Sequence, residues 1–413
     1  MPYSDRPHSL SCSSRFAIGH VLRKALPVQS DRPRRWRAPL KGAVATTLLA
    51  LALSACASNA PQDGFLKPEG PYPRKINRVA YPTFIIAGLM LVLVYALVIY
   101  CVIKFRRRND DDIPVQVHGN TTGEILWTAG PAVLLAVIGV FSVNTIFEVA
   151  KTPKNAYDIT VVGHQWWWEY QYPRTGQTKL DPKPSIVADP NNPGRKIGGV
   201  LKESTPYMST ANELHIPAGR PVRLAITSMD VIHNYWVPKL SGKIYAIPGR
   251  INHLNLQADT SLVKNGKSAT LYGQCAEFCG TSHANMRFKV VVDSPAEFGK
   301  WLARQEGAAA EPTTALAKAG QALFVGSGGC SSCHYLKSNE GYDPTVDAGK
   351  IGPNLTHIGS RRHFAGAIAP LDDVNLRAWL KNPQAFKPGA KMVIRKLNDN
   401  EITQLVAYIH SLK

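Results

Sequence analysis

The sequence predicts a multidomain membrane protein in which two transmembrane helices are followed by a β-sandwich and then by an all-α domain. Three observations predict it: two long uncharged apolar runs, a central region of short alternating strands broken by Pro, Gly and Asn, and a final stretch of about 99 residues with helical spacing of its apolar positions. At 413 residues the chain is too long for one ordinary domain. Its hydrophobic residues, 45% of the total, are clustered rather than spread, which separates membrane-spanning stretches from soluble ones.

The first element is a targeting segment. Residues 1–56 hold a basic stretch, then fourteen uncharged residues from Gly42 to Ala55, then Cys56, the layout of a secretory signal. Leu53-Ser54-Ala55-Cys56 also resembles a bacterial lipobox, in which the Cys56 thiol would become the lipidated N-terminus. An ordinary signal with a Cys near a small-residue cleavage site is the alternative. Much of the net charge of +19 sits here and in the cluster Lys104, Arg106, Arg107 and Arg108. No basic, aromatic face or recognition helix accompanies it, so the charge does not point to nucleic acid.

Two spans come next. Thr83 to Ile103 is 21 residues without a charge and Ile125 to Phe147 is 23, each long enough to cross ~30 Å of hydrocarbon. The short loop between them holds the Arg cluster, which sets that loop inside and both flanks outside. Everything after Lys151 is then expected on the periplasmic side.

From Tyr157 to about Val292 the pattern becomes that of a β-sandwich, with strands such as Asp158 to Val162, Val222 to Thr227, Ile251 to Leu256 and Arg287 to Val292. Lys179 to Pro206 and Asp259 to Ser268 read as irregular insertions at loops. Within the region lies Cys275-Ala276-Glu277-Phe278-Cys279, followed by His283 and Met286. Two thiols, an imidazole and a thioether form a soft donor set that favours copper. His233 would be a second imidazole if its strand end neighbours this loop. Five such ligands exceed what one copper needs and suggest a pair bridged by the two sulfurs. A Cys275–Cys279 disulfide leaves the His and Met unexplained, and zinc would leave the Met idle.

Glu306 to Ala315 is Ala-rich with Pro312 and reads as a flexible tether. Beyond it, helices are expected over Ala317 to Val325, Asn375 to Lys381 and Asn400 to Leu412. Cys330-Ser331-Ser332-Cys333-His334 has the spacing for covalent haem c attachment, with His334 on the iron. The only Met after this motif is Met392, which makes it the leading sixth ligand; His357, His363 and His410 are the alternatives. The seven cysteines are then all assigned, none to a disulfide framework: Cys12 and Cys56 in the targeting region, Cys101 in the first span, and two pairs on copper and haem.

Gly273-Gln274-Cys275 through Met286, Asp230-Val231-Ile232-His233, Ala246-Ile247-Pro248-Gly249-Arg250 and Gly163-His164-Gln165-Trp166 resemble cytochrome c oxidase subunit II, over roughly Pro82 to Trp301. The C-terminal part resembles class I cytochrome c, with Gly352-Pro353-Asn354-Leu355 as its loop near the haem, Trp379 as its internal aromatic and Tyr408 at its helix-packing position. The resemblance implies a cupredoxin-like sandwich with a dinuclear CuA centre. Cys275 and Cys279 would bridge the coppers, His233 and His283 would ligate one each, and Met286 and the Glu277 carbonyl would complete them. It implies further that the Glu277 side chain contacts a magnesium ion at the interface with subunit I, and that electrons arrive through Trp166. Glu124 would stand at the mouth of a proton path. The family commonly has Tyr where this chain has Trp167.

The expected division is a signal over 1–56, a periplasmic N-terminal segment over 57–81, a transmembrane hairpin over 82–150, the CuA domain over 151–300, a linker over 301–314 and the cytochrome c domain over 315–413. The expected function is a subunit II that relays electrons from a soluble or membrane cytochrome c, through its own haem c and copper, to subunit I in a bacterial inner membrane. There the complex, with its other subunits, would reduce oxygen to water and pump protons. A membrane-anchored electron carrier serving another reductase is the alternative. A quinol oxidase subunit would lack Cys275 and Cys279, and nitrous oxide reductase would need a catalytic propeller with no counterpart here.

Overall fold

The computed structural model describes residues 63–106, 116, 118–179, 185–189, 192–200, 207–336 and 352–413. The targeting segment with Cys12 and Cys56, and Arg107 and Arg108 of the basic cluster, lie outside the described residues.

Two helices, α1 (Pro71–Lys104) and α2 (Thr121–Ala150), are long and apolar enough to cross a membrane, and their apolar side chains stand exposed over most of their surface. α1 starts well before the uncharged run, because its first turns bind the soluble domain. Arg74 forms a two-pronged pair with Asp259 at 2.5 and 2.8 Å, and Asn77 donates to the Phe65 carbonyl. The C-terminal end of α2 is anchored to the same domain, where Asn255 Nδ2 donates to the carbonyls of Val149 and Lys151. Both helices therefore meet the sandwich by one end, and the other end of α2 lies a helix length away, ~45 Å for thirty residues.

The sandwich consists of two five-stranded sheets. The first, in the order β10-β7-β1-β2-β5, uses β1 (Tyr157–His164), β2 (Trp167–Pro173), β5 (Tyr207–Ala211), β7 (Val222–Ser228) and β10 (Asn252–Leu256). The second, β6-β12-β11-β8-β9, uses β6 (Glu213–Pro217), β8 (His233–Trp236), β9 (Lys243–Ala246), β11 (Ala269–Cys275) and β12 (Arg287–Asp293). Period-two alternation drives the packing: Val222, Leu224 and Ile226 of β7 are buried while Arg223 and Ala225 between them are not. Between the sheets, Tyr235 stacks on Phe288 at 4.4 Å and the edge of Trp168 meets Tyr235 at 5.0 Å. The stretch read as an irregular insertion contains a two-stranded hairpin, β3 (Ser185–Asp189) with β4 (Asn192–Val200).

After β12, helix α3 (Pro295–Glu306) is capped by Ser294, whose hydroxyl accepts from Glu297 N–H, and buries Phe298 and Leu302 against the sandwich. The first six residues of the expected linker are thus helical. The remainder of the linker is tied down as well: the Gly307 carbonyl accepts from His357, and Ala310 N–H donates to the Lys413 carbonyl.

The C-terminal domain packs α4 (Ala315–Val325) across the final helix, with α5 (Asp373–Lys381), α6 (Pro383–Phe386) and α7 (Asp399–Ser411) completing it. Gly320 lets the two long helices touch, since a β-carbon there would sit 2.1 Å from the Gln404 carbonyl oxygen. Phe324 and Tyr408 fill the space beside it, edge to face at 5.5 Å.

Candidate copper centre and haem site

Strand pairing assembles the first site. β8 pairs with β11, Cys275 opposite Tyr235, so His233 at the head of β8 lies beside the loop that leaves β11. That loop turns through His283–Asn285 and closes with a hydrogen bond from Cys275 N–H to the Met286 carbonyl at 3.0 Å. Cys275 Sγ lies 4.0 Å from His233 Nδ1, 3.8 Å from Cys279 Sγ and 3.3 Å from the Glu277 carbonyl oxygen. Cys279 Sγ lies 3.6 Å from His283 Nδ1 and 3.8 Å from Met286 Sδ. The structure brings all six residues together, two sulfurs at the centre with an imidazole beside each.

This donor set suits soft metal ions: the ligand atoms of His233, Cys275 and Cys279 lie within 4.8 Å of one another and all three residues are buried. The Cys279 thiol, with His233 and two backbone groups behind it, pulls Cys275 well below the ordinary thiol range, which favours a thiolate at that sulfur. Cys279 is pushed up by that same partner and by burial. Burial opposes charge on His233, but Asp230 and Cys275 outweigh it and raise the imidazole. Asp230 Oδ1 accepts a hydrogen bond from His233 Nε2–H at 2.8 Å, which leaves Nδ1 for the metal side. Burial works against the Asp230 charge too, yet His233, His164 and the Gln165 N–H hold the carboxylate well below its ordinary range.

Trp166 lies directly against this loop. Its indole Nε1–H donates to the Cys279 carbonyl at 3.0 Å, and Gln165 Nε2 donates to the same oxygen at 2.9 Å. The neighbouring Trp167 turns away and stacks on His164 at 4.1 Å.

The second site belongs to a cavity of about 950 Å³ that runs between the C-terminal domain and the sandwich face at His164, Trp166 and Glu169. Cys330, Cys333, His334 and Met392 all line it. Its other walls are mainly apolar and include Phe324, Leu355, Leu376 and Leu405. His334 commits Nδ1 to the Pro353 carbonyl at 2.9 Å, so Nε2 is its available ligand atom, and burial lowers its pKa, which favours the neutral ring. Met392 Sδ accepts from Trp379 Nε1–H at 3.1 Å. A planar tetrapyrrole with two vinyl groups, two carboxylates and an iron fits these donors, and Arg361, whose guanidinium burial lowers to about 10, supplies a cation for the carboxylates. Of the alternative ligands, His357 is bound to the linker and His410 pairs with Asp373 at 3.0 Å; His363 alone of the three lines the cavity.

Glu124 stands apart from both sites, exposed in the first turn of α2. Among the described residues the Glu277 side chain belongs to no cluster of three or more candidate metal ligands.

Sequence reasoning missed the supporting residues. For Asp230 the available signal was its position three residues before His233, a candidate ligand. Gln165, Arg361, Glu213 and Lys387 left none, because each acts across elements distant in sequence. The Lys387 amine is buried, which lowers it to about 7, and donates to the carbonyls of Trp166 at 2.5 Å and Ala365 at 2.9 Å.

Three family profiles match the chain in order: the transmembrane domain of cytochrome c oxidase subunit II over residues 61–145, its periplasmic domain over 157–294, and cytochrome c over 317–413. Cytochrome c oxidase subunit 2 of Alkalihalophilus pseudofirmus is 33% identical over 356 residues, which is 84% of this chain and 90% of that one. The subunit 2 of Bacillus subtilis is 31% identical over 379 residues, 89% of this chain and 96% of its own. Among solved structures, the periplasmic domain of the oxidase subunit II of Bradyrhizobium japonicum is 30% identical and covers 38% of this chain and 96% of that one, with a TM-score of 0.26. With all three profiles in order and a relative matched over nine-tenths of its length, the chain belongs to the cytochrome c oxidase subunit II family and is a membrane-anchored part of an oxidoreductase complex, with copper and haem domains outside the membrane.

Proposed function

We infer that the chain carries electrons from a cytochrome c donor to subunit I through a covalently attached haem c and a dinuclear copper centre, in a bacterial inner membrane with both domains periplasmic. The observation that carries this reading is the position of Trp166, whose indole bonds the Cys279 carbonyl while its ring edge and carbonyl meet the loop leading to Met392. When bound, the haem iron and the thiolate-bridged coppers supply reversible one-electron exchange, which none of the side chains does.

The residues divide the work. Cys330 and Cys333 would anchor the haem, while His334 and Met392 would hold its iron, the thioether favouring a high potential. Cys275, Cys279, His233, His283, Met286 and the Glu277 carbonyl would hold the coppers, and Asp230 fixes the His233 ring. The Glu277 side chain reaches a magnesium ion shared with subunit I. Glu124 takes protons at the inner end of α2. The domain limits are those expected from the sequence, with the anchoring turns of α1 and all of α3 assigned to the soluble side. The assembled complex reduces oxygen to water and pumps protons.

Metal and haem analysis of the purified oxidase tests this reading. Two coppers in this subunit per covalent haem, with a near-infrared band lost on reduction, uphold it. Zinc, or a single copper, at the cysteine pair overturns it.

A further inference from the structure

The haem domain does not hang free on its linker. Two of its loops sit on the copper end of the sandwich. In the first, Glu213 of β6 receives the backbone N–H groups of Arg362 and His363 at 2.9 and 3.0 Å, and Arg287 N–H donates to the Gly366 carbonyl at 3.1 Å. In the second, Lys387-Pro388-Gly389 lies on the Trp166 ring and on Thr281–Ser282 of the copper loop, and the Ser282 hydroxyl donates to the Pro388 carbonyl.

Both loops need glycine for this approach. Gly366 and Gly389 each have φ near +82°. A β-carbon on Gly389 would stand 3.0 Å from the Trp166 ring, and one on Gly366 would stand 2.6 Å from the Asn285 carbonyl oxygen. The seam between the loops is crossed by Lys387, 4% exposed, whose Nζ reaches one carbonyl on each side: Trp166 in the sandwich and Ala365 in the haem domain. A buried amine with two acceptors is held far more firmly than a surface lysine, because breaking either bond leaves a polar group without water.

We propose that Lys387 is a positioning residue for the haem-to-copper electron step, clamping the loop that carries Met392 onto the backbone of Trp166. This rests on the relay reading above. Lys387 is none of the residues assigned to hold the haem or the copper; it acts by keeping the Met392 loop and Trp166 in register. A docked pose held by desolvated bonds is also insensitive to salt, unlike an encounter steered by surface charge.

The test uses the assembled oxidase with Lys387→Met, which keeps the buried chain length and removes the donors, and with Lys387→Arg, which restores them. One electron is injected by laser flash, and haem reoxidation is followed against the copper near-infrared band over a range of ionic strength. In the parent the step is independent of salt. K387M is expected to slow it about tenfold, on the order of what one buried hydrogen bond is worth, and to make it salt-dependent, with K387R recovering most of the rate. Parental rate and salt independence in K387M, with both centres spectrally intact, overturn the proposal. Should K387M fail to assemble, Lys387→Gln, which keeps one donor group, takes its place: partial slowing upholds the clamp and a parental rate overturns it. Absence of copper or covalent haem from the parent would instead sink the relay reading.

Discussion

Asp230 shares its carboxylate between His233 Nε2, 2.8 Å from one oxygen, and the haem domain, where Lys391 Nζ lies 3.6 Å from the other. The residue that orients His233, the proposed copper ligand, thus also faces the neighbour of Met392. Removing its charge leaves His233 free to turn and to take the other tautomer, and partners of this kind are typically worth 10–100-fold in metal affinity. Asp230→Asn is expected to weaken copper binding by about that factor, read by competition against a chelator. Affinity equal to the parent would mean that packing alone orients His233.

Met392 and Trp379 address the sixth haem ligand. Axial ligands command ~0.8 V of haem potential, and thioether sits toward the high end. Met392→His is expected to lower the midpoint potential by on the order of 0.2 V, which would make the haem a stronger donor and the step toward copper more downhill. An unchanged potential would hand the role to another residue, with His363, which lines the same cavity, first in line.

Glu169 makes the sandwich acid-sensitive. Burial disfavours its charge, but His164 at 3.2 Å, then Gln171 and Ser209, outweigh burial and hold the carboxylate below the usual 4.5. The folded chain keeps the carboxylate ionised where the unfolded chain has begun to take up a proton. The stabilisation is therefore complete above about pH 4.5 and is lost as pH falls through the folded value. Glu169→Gln removes this dependence, so the copper band of the variant oxidase is expected to decay less steeply than the parent's between about pH 5 and pH 3. Copper-ligand protonation is common to both proteins and drops out of the comparison. Equal slopes would show that Glu169 does not govern acid stability.

How much of this was legible in the sequence depends on where each partner lies. The copper loop was legible because its two thiols, one imidazole and thioether are local, and the haem motif because its spacing is covalent chemistry. His233 needed the pairing of β8 with β11, which sequence can suggest but not register. Helix α3 was cut by a boundary at residue 300 although Ser294-Pro295-Ala296-Glu297 is a start signal, because the Ala-rich run after it looked like tether throughout. The hairpin of β3 and β4 lacks alternation, with Gly194, Gly198 and Gly199 in one strand, and so left no period to read. The interdomain contacts of Lys387 and Glu213 were invisible for a different reason: a single buried polar residue in a loop has no pattern until the other domain supplies its partner.

The crossing of α4 and α7 offers a prediction about the haem domain alone. A helix interior penalises glycine by about 1 kcal/mol relative to alanine, so replacing Gly320 at an exposed site would stabilise the fold. Here the new β-carbon would lie 2.1 Å from the Gln404 carbonyl oxygen and 2.7 Å from the Tyr408 β-carbon, and neither atom can swing aside as the end of a flexible side chain would. The steric term therefore wins, and Gly320→Ala is expected to lower the stability of the domain by ~1–3 kcal/mol, the cost typical of overpacking, despite its better helix propensity. Thermal loss of the haem Soret signal, followed separately from the copper band, measures it. A rise in the haem-domain midpoint would mean that the two helices stand farther apart than the structure has them, and the contact of Phe324 with Tyr408 at 5.5 Å would have to be redrawn with them.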